Sequence, residues 1–334
     1  MDNIRYFNLI SKNNMRLTNS KFQISGCRDY SSNLLTHQIF YIKILYFPRD
    51  LRPFNRKINF RGGGKKVVLM DKIVELASDM PITQKDTIEK DAKRVVEHVV
   101  FEFSKKGIGG DYTGYHDITH ELEVTYFTLL AAKFHFEQKE FNQNDVTTLF
   151  LSALLHDFDP LKESEKPHND NVESFIRNDK ELAKLIVPFE TDLNIVLALI
   201  RRTTYPFNGK QKEHALERMQ ELFSLAGIHK DDTVTRNHYE QLGWFLSICD
   251  RIAGYSLGDF KYARELARRN AISMAWPPSV INEQVVKYFK SLKVEKKMLD
   301  YVLMGVSDDY RKNLFNNIAG FRRARENEGR SKAI

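Results

Sequence analysis

The sequence predicts an all-α fold, a helical bundle around a metal-binding cleft. From Met70 onward, apolar residues recur with helical spacing almost without interruption. In the same region there is no alternating Val/Ile/Thr segment bounded by paired turns, which would indicate strands. The chain has 334 residues, 42% of them hydrophobic, and can therefore bury one large core. Helices packed against one another are the expected architecture.

The predicted helices follow one another along the chain. Ile88, Ala92, Val95 and Val99 form an apolar stripe that ends before Gly107. A glycine-containing loop then leads to a second helix over approximately 119–136, and further helices follow over approximately 145–156, 169–178, 190–203, 211–226 and 237–256. Two more stripes between 259 and 321 complete a domain predicted to span 70–325, followed by a charged tail over 326–334 that we expect to fray.

Histidine and aspartate residues stand where several of these helices begin or end. His116 and His120 are four residues apart, the pair His156-Asp157 follows the apolar run 149–155, and Asp250 ends another apolar segment. Imidazole nitrogens and carboxylate oxygens suit divalent ions such as Zn²⁺, Fe²⁺ and Mn²⁺, and a carboxylate beside a histidine can bridge two ions. Asp117 or Glu121 is predicted to orient one of the histidines.

Three motifs carry a resemblance to a known superfamily. Tyr-His-Asp-x-x-His-x-x-x-Val (115–124), Leu-Leu-His-Asp (154–157) and Cys-Asp-Arg-Ile-Ala-Gly-Tyr (249–255) resemble the signature of HD-domain metal-dependent phosphohydrolases. The nearest likeness is to the cyclic-nucleotide phosphodiesterases, over about residues 112 to 255. The resemblance implies an HD-type helical bundle that holds two divalent ions, Zn, Fe, Mn or Mg.

The resemblance also implies roles for individual residues. His116 would be the general acid, and His120, His156, Asp157 and Asp250 would be metal ligands, with Asp157 bridging the ions at the catalytic centre. The chain departs from the family at three places. Asp117 replaces an asparagine, the third histidine is displaced to His168, and the segment 201–204 lacks the family's aspartate. The candidate phosphate contacts are Arg201, Arg202 and Lys162.

The implied activity is hydrolysis of a small phosphodiester such as a 3′,5′-cyclic nucleotide. Three alternatives stay open: a nucleotidase or phosphomonoesterase, a metal-binding regulatory domain without turnover, and a di-iron oxygenase. The oxygenase would require further histidine ligands between the His-Asp pair and Asp250. The remaining histidines are expected at the surface: His37, His98, His135, His214, His229 and His238.

The net charge of +7 is concentrated in the N-terminal segment. Residues 1–66 contain thirteen Lys/Arg and three Asp, a net +10, which leaves −3 for the rest and makes nucleic acid an unlikely partner of the core. Residues 1–69 are predicted to be a basic, poorly ordered extension with a flexible joint at 61–66. The alternatives are an organelle-targeting peptide, a nucleic-acid-binding or partner-binding arm, or a start at Met70.

Cysteine content and hydropathy bear on the compartment. Cys27 and Cys249 are far apart in the sequence, which favours a reducing environment. The longest apolar stretch near the N-terminus, 38–47, is too short to span a membrane. A cytoplasmic protein without a membrane segment is therefore expected, and its oligomeric state is left open.

Overall fold

The computed structural model describes residues 63–80, 82, 87–104, 114–159 and 169–331. Within these ranges every regular element is helical and no β-strand occurs, so the predicted all-α class is confirmed. The first helices are α1 (Gly63–Asp79), α2 (Ile88–Ser104), α3 (Ile118–Glu137), α4 (Gln143–Leu155), α5 (Asn169–Asn178), α6 (Lys180–Ile186) and α7 (Leu193–Arg201). The later ones are α8 (Gly209–Leu225), α9 (Thr233–Leu257), α10 (Phe260–Ser273), α11 (Ile281–Leu292), α12 (Lys296–Met304) and α13 (Asp308–Ser331). Short 3₁₀ turns cover Val187–Phe189, Pro278–Val280 and Lys293–Glu295.

Helix α3 runs through the centre of the bundle. It packs against α1, α4, α9 and α12, so side chains on almost all of its sides are buried. Leu122, Phe127 and Leu129 are examples. A helix that is apolar around its circumference belongs in a core. At its far end α12 approaches closely, and the glycine at 305 fits against the carbonyl of Ala131.

Local capping fixes where the helices that matter for the site begin. Asp117 accepts the backbone N–H of His120 at 3.0 Å and so caps α3. Asn142 and Asp145 form a reciprocal capping box at the start of α4. Asp232 caps α9 through the N–H of Thr235. These caps set the helix registers that bring the start of α3, the end of α4 and the middle of α9 together.

The N-terminal boundary of the helical domain differs from the prediction. Helix α1 begins at Gly63, so residues 63–69, which were predicted to belong to a flexible extension, are helical. Leu69, Ile73 and Ala77 are buried and pack α1 against α2 and α3. This burial outweighs the helix-weakening effect of the first two glycines. The rest of the predicted extension, residues 1–62, lies outside the described residues.

Helix α13 continues to Ser331, so residues 326–331 of the predicted charged tail are helical. Helix α6 was missed, since Asp179 ends one short helix and caps the next through the N–H groups of Glu181 and Leu182. None of the helices in the described ranges is both long and apolar enough to cross a bilayer.

Candidate metal centre

Three helices place four of the predicted ligand residues around one point. His120 lies in the first turn of α3, His156 and Asp157 follow the last turn of α4, and Asp250 lies on α9. The histidines are almost completely buried, and Asp157 is buried at the edge of the cluster. Residues from sequence positions more than a hundred apart therefore meet in the interior.

The distances between their polar atoms are those of ligands around one ion. His120 Nε2 lies 3.1 Å from Asp250 Oδ1, 3.2 Å from His156 Nε2 and 3.6 Å from Asp157 Oδ2. His156 Nε2 lies 3.5 Å from each of the two aspartate oxygens. With metal–ligand bonds of about 2.1 Å, neighbouring ligand atoms are about 3.0 Å apart in an octahedron and about 3.4 Å apart in a tetrahedron. The atoms of His120, His156 and Asp250 therefore fit a single divalent ion, and Asp157 Oδ2 lies next to both imidazoles.

The electrostatics of the cluster also favour a cation. Burial opposes protonation of His156, but the carboxylates of Glu121 and Asp157 outweigh it and raise the pKa of the imidazole well above its ordinary value. Burial would raise the pKa of Asp157 and Asp250, yet the neighbouring histidines lower the pKa of both carboxyls. Several carboxylates in a low-dielectric interior need positive charge close by. A divalent ion at the same place supplies that charge.

Glu121 orients two of the candidate ligands. Its Oε1 accepts the backbone N–H of Asp157 at 2.9 Å, and its Oε2 lies 2.7 Å from His156 Nδ1. The same Nδ1 lies 2.9 Å from the carbonyl oxygen of Ala153. Anchoring Nδ1 in this way leaves Nε2 of His156 as the ligand atom. Burial raises the pKa of the Glu121 carboxyl.

Asp117, the other predicted orienting residue, has a different position. Besides capping α3, it accepts a hydrogen bond from Arg269 on α10 at 3.0 Å. Arg269 also contacts the carbonyl of Gly114. The pair therefore ties the loop that carries His116 to helix α10.

His116 reaches the cluster from this loop, because α3 begins only at Ile118. Its Nδ1 lies 2.6 Å from Asp157 Oδ2, so the histidine and the central carboxylate are directly hydrogen-bonded. Tyr115 packs its ring 4.4 Å from the ring of His120. Tyr115 was not singled out from the sequence, although its place directly before His116 was visible there.

The residues predicted to contact phosphate have different surroundings. Arg201 is buried and donates to both Asp170 and Glu173 at 2.5 Å, so its guanidinium is already engaged. Arg202 stacks on Phe207 and contacts Glu295. Lys162 and the predicted additional ligand His168 lie outside the described residues.

Three histidines predicted at the surface have specific partners. His135 is completely buried and contacts Glu140 at 2.7 Å and the carbonyl of Tyr301 at 3.0 Å, so its predicted exposure is wrong. His98 and His238 are largely buried against Asp179 and Asp145 respectively. The carboxylate partners of His98 and His238 lie far away in the sequence, so the local sequence did not indicate these two pairs.

Within the described residues, three groups of side chains are spaced so that they could hold a metal ion. Two of them, His120–His156–Asp250 and His116–His120–Asp157, overlap in the cluster described above. The third, His98–Glu102–Asp179, lies between α2 and the start of α6. Because the overlapping groups share His120, binding of two ions stays a prediction. No protein-family model matches the chain, and no curated protein shows significant similarity to it.

Proposed function

We propose that this protein is an HD-type metal-dependent phosphohydrolase that acts on a small phosphodiester such as a 3′,5′-cyclic nucleotide. The observation that supports it most is the convergence of His120, His156, Asp157 and Asp250 at ligand spacing, with His116 hydrogen-bonded to one of them. The order of these residues along the chain also follows the motifs that resemble the superfamily.

The donor set fits a borderline divalent ion, because two imidazoles and two carboxylates suit Zn²⁺, Fe²⁺ or Mn²⁺. When bound, such an ion lowers the pKa of a coordinated water and neutralises phosphoryl charge. Glu121 holds His156 and the backbone of Asp157 in place for this task. The interior position of the cluster limits access of bulk water.

His116 is proposed to protonate the leaving oxygen. An imidazole titrates close to neutral pH and can therefore both hold and release a proton. Asp157 contacts Nδ1 of His116, and Nε2 is proposed as the nitrogen that exchanges the proton. Asp117 and Arg269 keep the supporting loop in position.

The test is Mn²⁺-dependent hydrolysis of bis-(p-nitrophenyl) phosphate and of p-nitrophenyl phosphate by the full chain. Asp157→Asn should abolish diester turnover, whereas Asp231→Asn, at a carboxylate that is 91% exposed, should leave it unchanged. Selective turnover of the monoester would favour the nucleotidase alternative. Inactivity of wild type on both substrates would count against the proposal.

A second pair of variants separates proton transfer from metal binding. His116→Gln should lower kcat about 10²–10⁴-fold, the usual contribution of a general acid, and should retain bound metal. His229→Gln changes a histidine that is 81% exposed and should leave kcat unchanged. Full activity of His116→Gln would exclude His116 as the acid.

A further inference from the structure

We propose that Arg202 and Arg251 form a phosphate-binding subsite for a nucleotide beside the metal cluster. This subsite would recognise the phosphate of the substrate or product, so the inference rests on the proposed function. Arg251 directly follows Asp250 on α9, and Arg202 caps the end of α7, which packs against α9. The two side chains meet at one carboxylate, Glu295.

Arg251 has unused hydrogen-bonding capacity in the interior. Its side chain is only 8% exposed. Nε donates to the carbonyl of Ser247 at 3.0 Å and Nη1 to Glu295 at 2.7 Å, but Nη2 is buried and has no acceptor among the described residues. Leaving a buried donor without an acceptor costs about 1–3 kcal/mol. A ligand oxygen at Nη2 would remove that cost.

Arg202 shares the carboxylate of Glu295 with Arg251. Its side chain is 12% exposed, stacks 3.7 Å above the ring of Phe207 and approaches Glu295 only to 3.5 Å. Glu295 also accepts the indole N–H of Trp244 and the strong bond from Arg251. One carboxylate therefore serves two buried guanidinium groups.

Two further carboxylates act on this pair, Asp250 on Arg251 and Glu240 on Arg202. Burial would lower the pKa of Arg251, but Glu295 and Asp250 outweigh it and raise that pKa, although Nη2 has no acceptor among the described residues. Burial lowers the pKa of Arg202 to about 10 in spite of Glu295, as expected for a cation with incomplete compensation. The neighbouring Arg201 differs from Arg202, because Arg201 pairs with two carboxylates, Asp170 and Glu173.

Half-buried aromatic side chains surround the two arginines. Tyr205 and Tyr288 pack with ring centroids 5.3 Å apart, and the Tyr288 hydroxyl donates to the carbonyl of Arg251 at 3.2 Å. Phe207 and Trp244 flank Arg202. Aromatic faces next to a few convergent polar groups are typical of pockets for planar ligands. The combination favours a nucleotide over a simple phosphate ester.

The backbone at position 243 allows this arrangement. A Cβ added to Gly243 would lie 3.0 Å from Cβ of Arg202 and 3.4 Å from Cα of Leu199. The absence of a side chain therefore lets the end of α7 lie close against α9. Arg202 is held beside the residues that surround Arg251 as a result.

The test is calorimetric titration of adenosine 5′-monophosphate into the full chain in the presence of a chelator, so that neither turnover nor metal–phosphate contact contributes. Wild type should bind, and Arg251→Gln and Arg202→Gln should each weaken the affinity about 10- to 100-fold, as expected for loss of a charge-assisted hydrogen bond. Arg268→Gln, at a position 67% exposed, is the matched control and should bind like wild type.

Two results would overturn the subsite: no binding by wild type at millimolar concentration, or equal affinity of wild type and both arginine variants. If Arg251→Gln does not fold, as judged by circular dichroism, Arg202→Gln carries the comparison. Retained binding with no hydrolysis of either nitrophenyl ester would instead count against the proposed reaction and leave the subsite supported. The two failures are thus distinguishable.

Discussion

Replacing Asp250 by asparagine should remove most of the stabilisation that a divalent ion gives to this protein. Asp250 Oδ1 lies 3.1 Å from His120 Nε2 and 3.5 Å from His156 Nε2, so it is one of the three residues of the group His120–His156–Asp250. Asparagine has nearly the same shape but no charge. The substitution therefore weakens metal binding with little change in packing.

The size of the effect follows from mass action. An ion present at one hundred times its Kd stabilises the folded state by about 2.7 kcal/mol. In a domain of this size 1 kcal/mol corresponds to about 2–4 °C, so the Tm of wild type should rise by about 5–11 °C. Even the loss of a group that only orients a ligand lowers metal affinity about 10–100-fold. A 100-fold loss of affinity at the same ion concentration leaves about 0.4 kcal/mol of stabilisation, which corresponds to an increase in Tm of about 1–2 °C.

The assay is thermal unfolding followed by circular dichroism, first with chelator and then with Mn²⁺ at one hundred times the Kd measured for wild type. Asp231→Asn is the matched control and should show the full increase in Tm, because its side chain is exposed. An increase for Asp250→Asn equal to that of wild type would refute the assignment of Asp250 as a ligand. No increase for wild type would refute the metal centre itself.

Three further outcomes are expected. Glu121→Gln should weaken Mn²⁺ binding about 10–100-fold in calorimetry, because the amide cannot hold both His156 and the Asp157 N–H as the carboxylate does; unchanged affinity would contradict this. Gly305→Ala should destabilise the fold by about 1–3 kcal/mol in urea unfolding, since the added Cβ would lie 2.3 Å from a backbone oxygen of α3, whereas Gly329→Ala, with open space around it, should not. Burial opposes ionisation of Glu173, but three arginines outweigh it and lower the pKa of its carboxyl from 4.5 to about 2. The ionised carboxylate therefore contributes about 1–2 kcal/mol to the free energy of unfolding after solvent screening. This contribution is complete above pH 4.5 and is lost as the pH falls towards 2. Glu173→Gln should therefore be less stable than wild type at pH 7, with the difference shrinking in acid, and a constant difference across pH 2–7 would exclude this origin.

Much of the helical pattern was predictable because it depends on local spacing. The helix predicted over 119–136 corresponds to Ile118–Glu137, and that over 169–178 to Asn169–Asn178. Boundaries were less accurate where a cap or a tertiary contact decides them. Gly63 and its neighbour are poor helix formers, and only packing of the following apolar stripe explains why α1 starts there.

The sequence by itself determined the all-α class and the order of the histidines and aspartates, because apolar periodicity and motif spacing are properties of short segments. Only the tertiary structure decided that His120, His156 and Asp250 approach within 3.5 Å of one another, that Glu121 orients His156, and that two arginines share Glu295. These contacts join segments far apart in the chain. Their distances depend on how α3, α4, α7 and α9 pack, and no local pattern encodes that geometry.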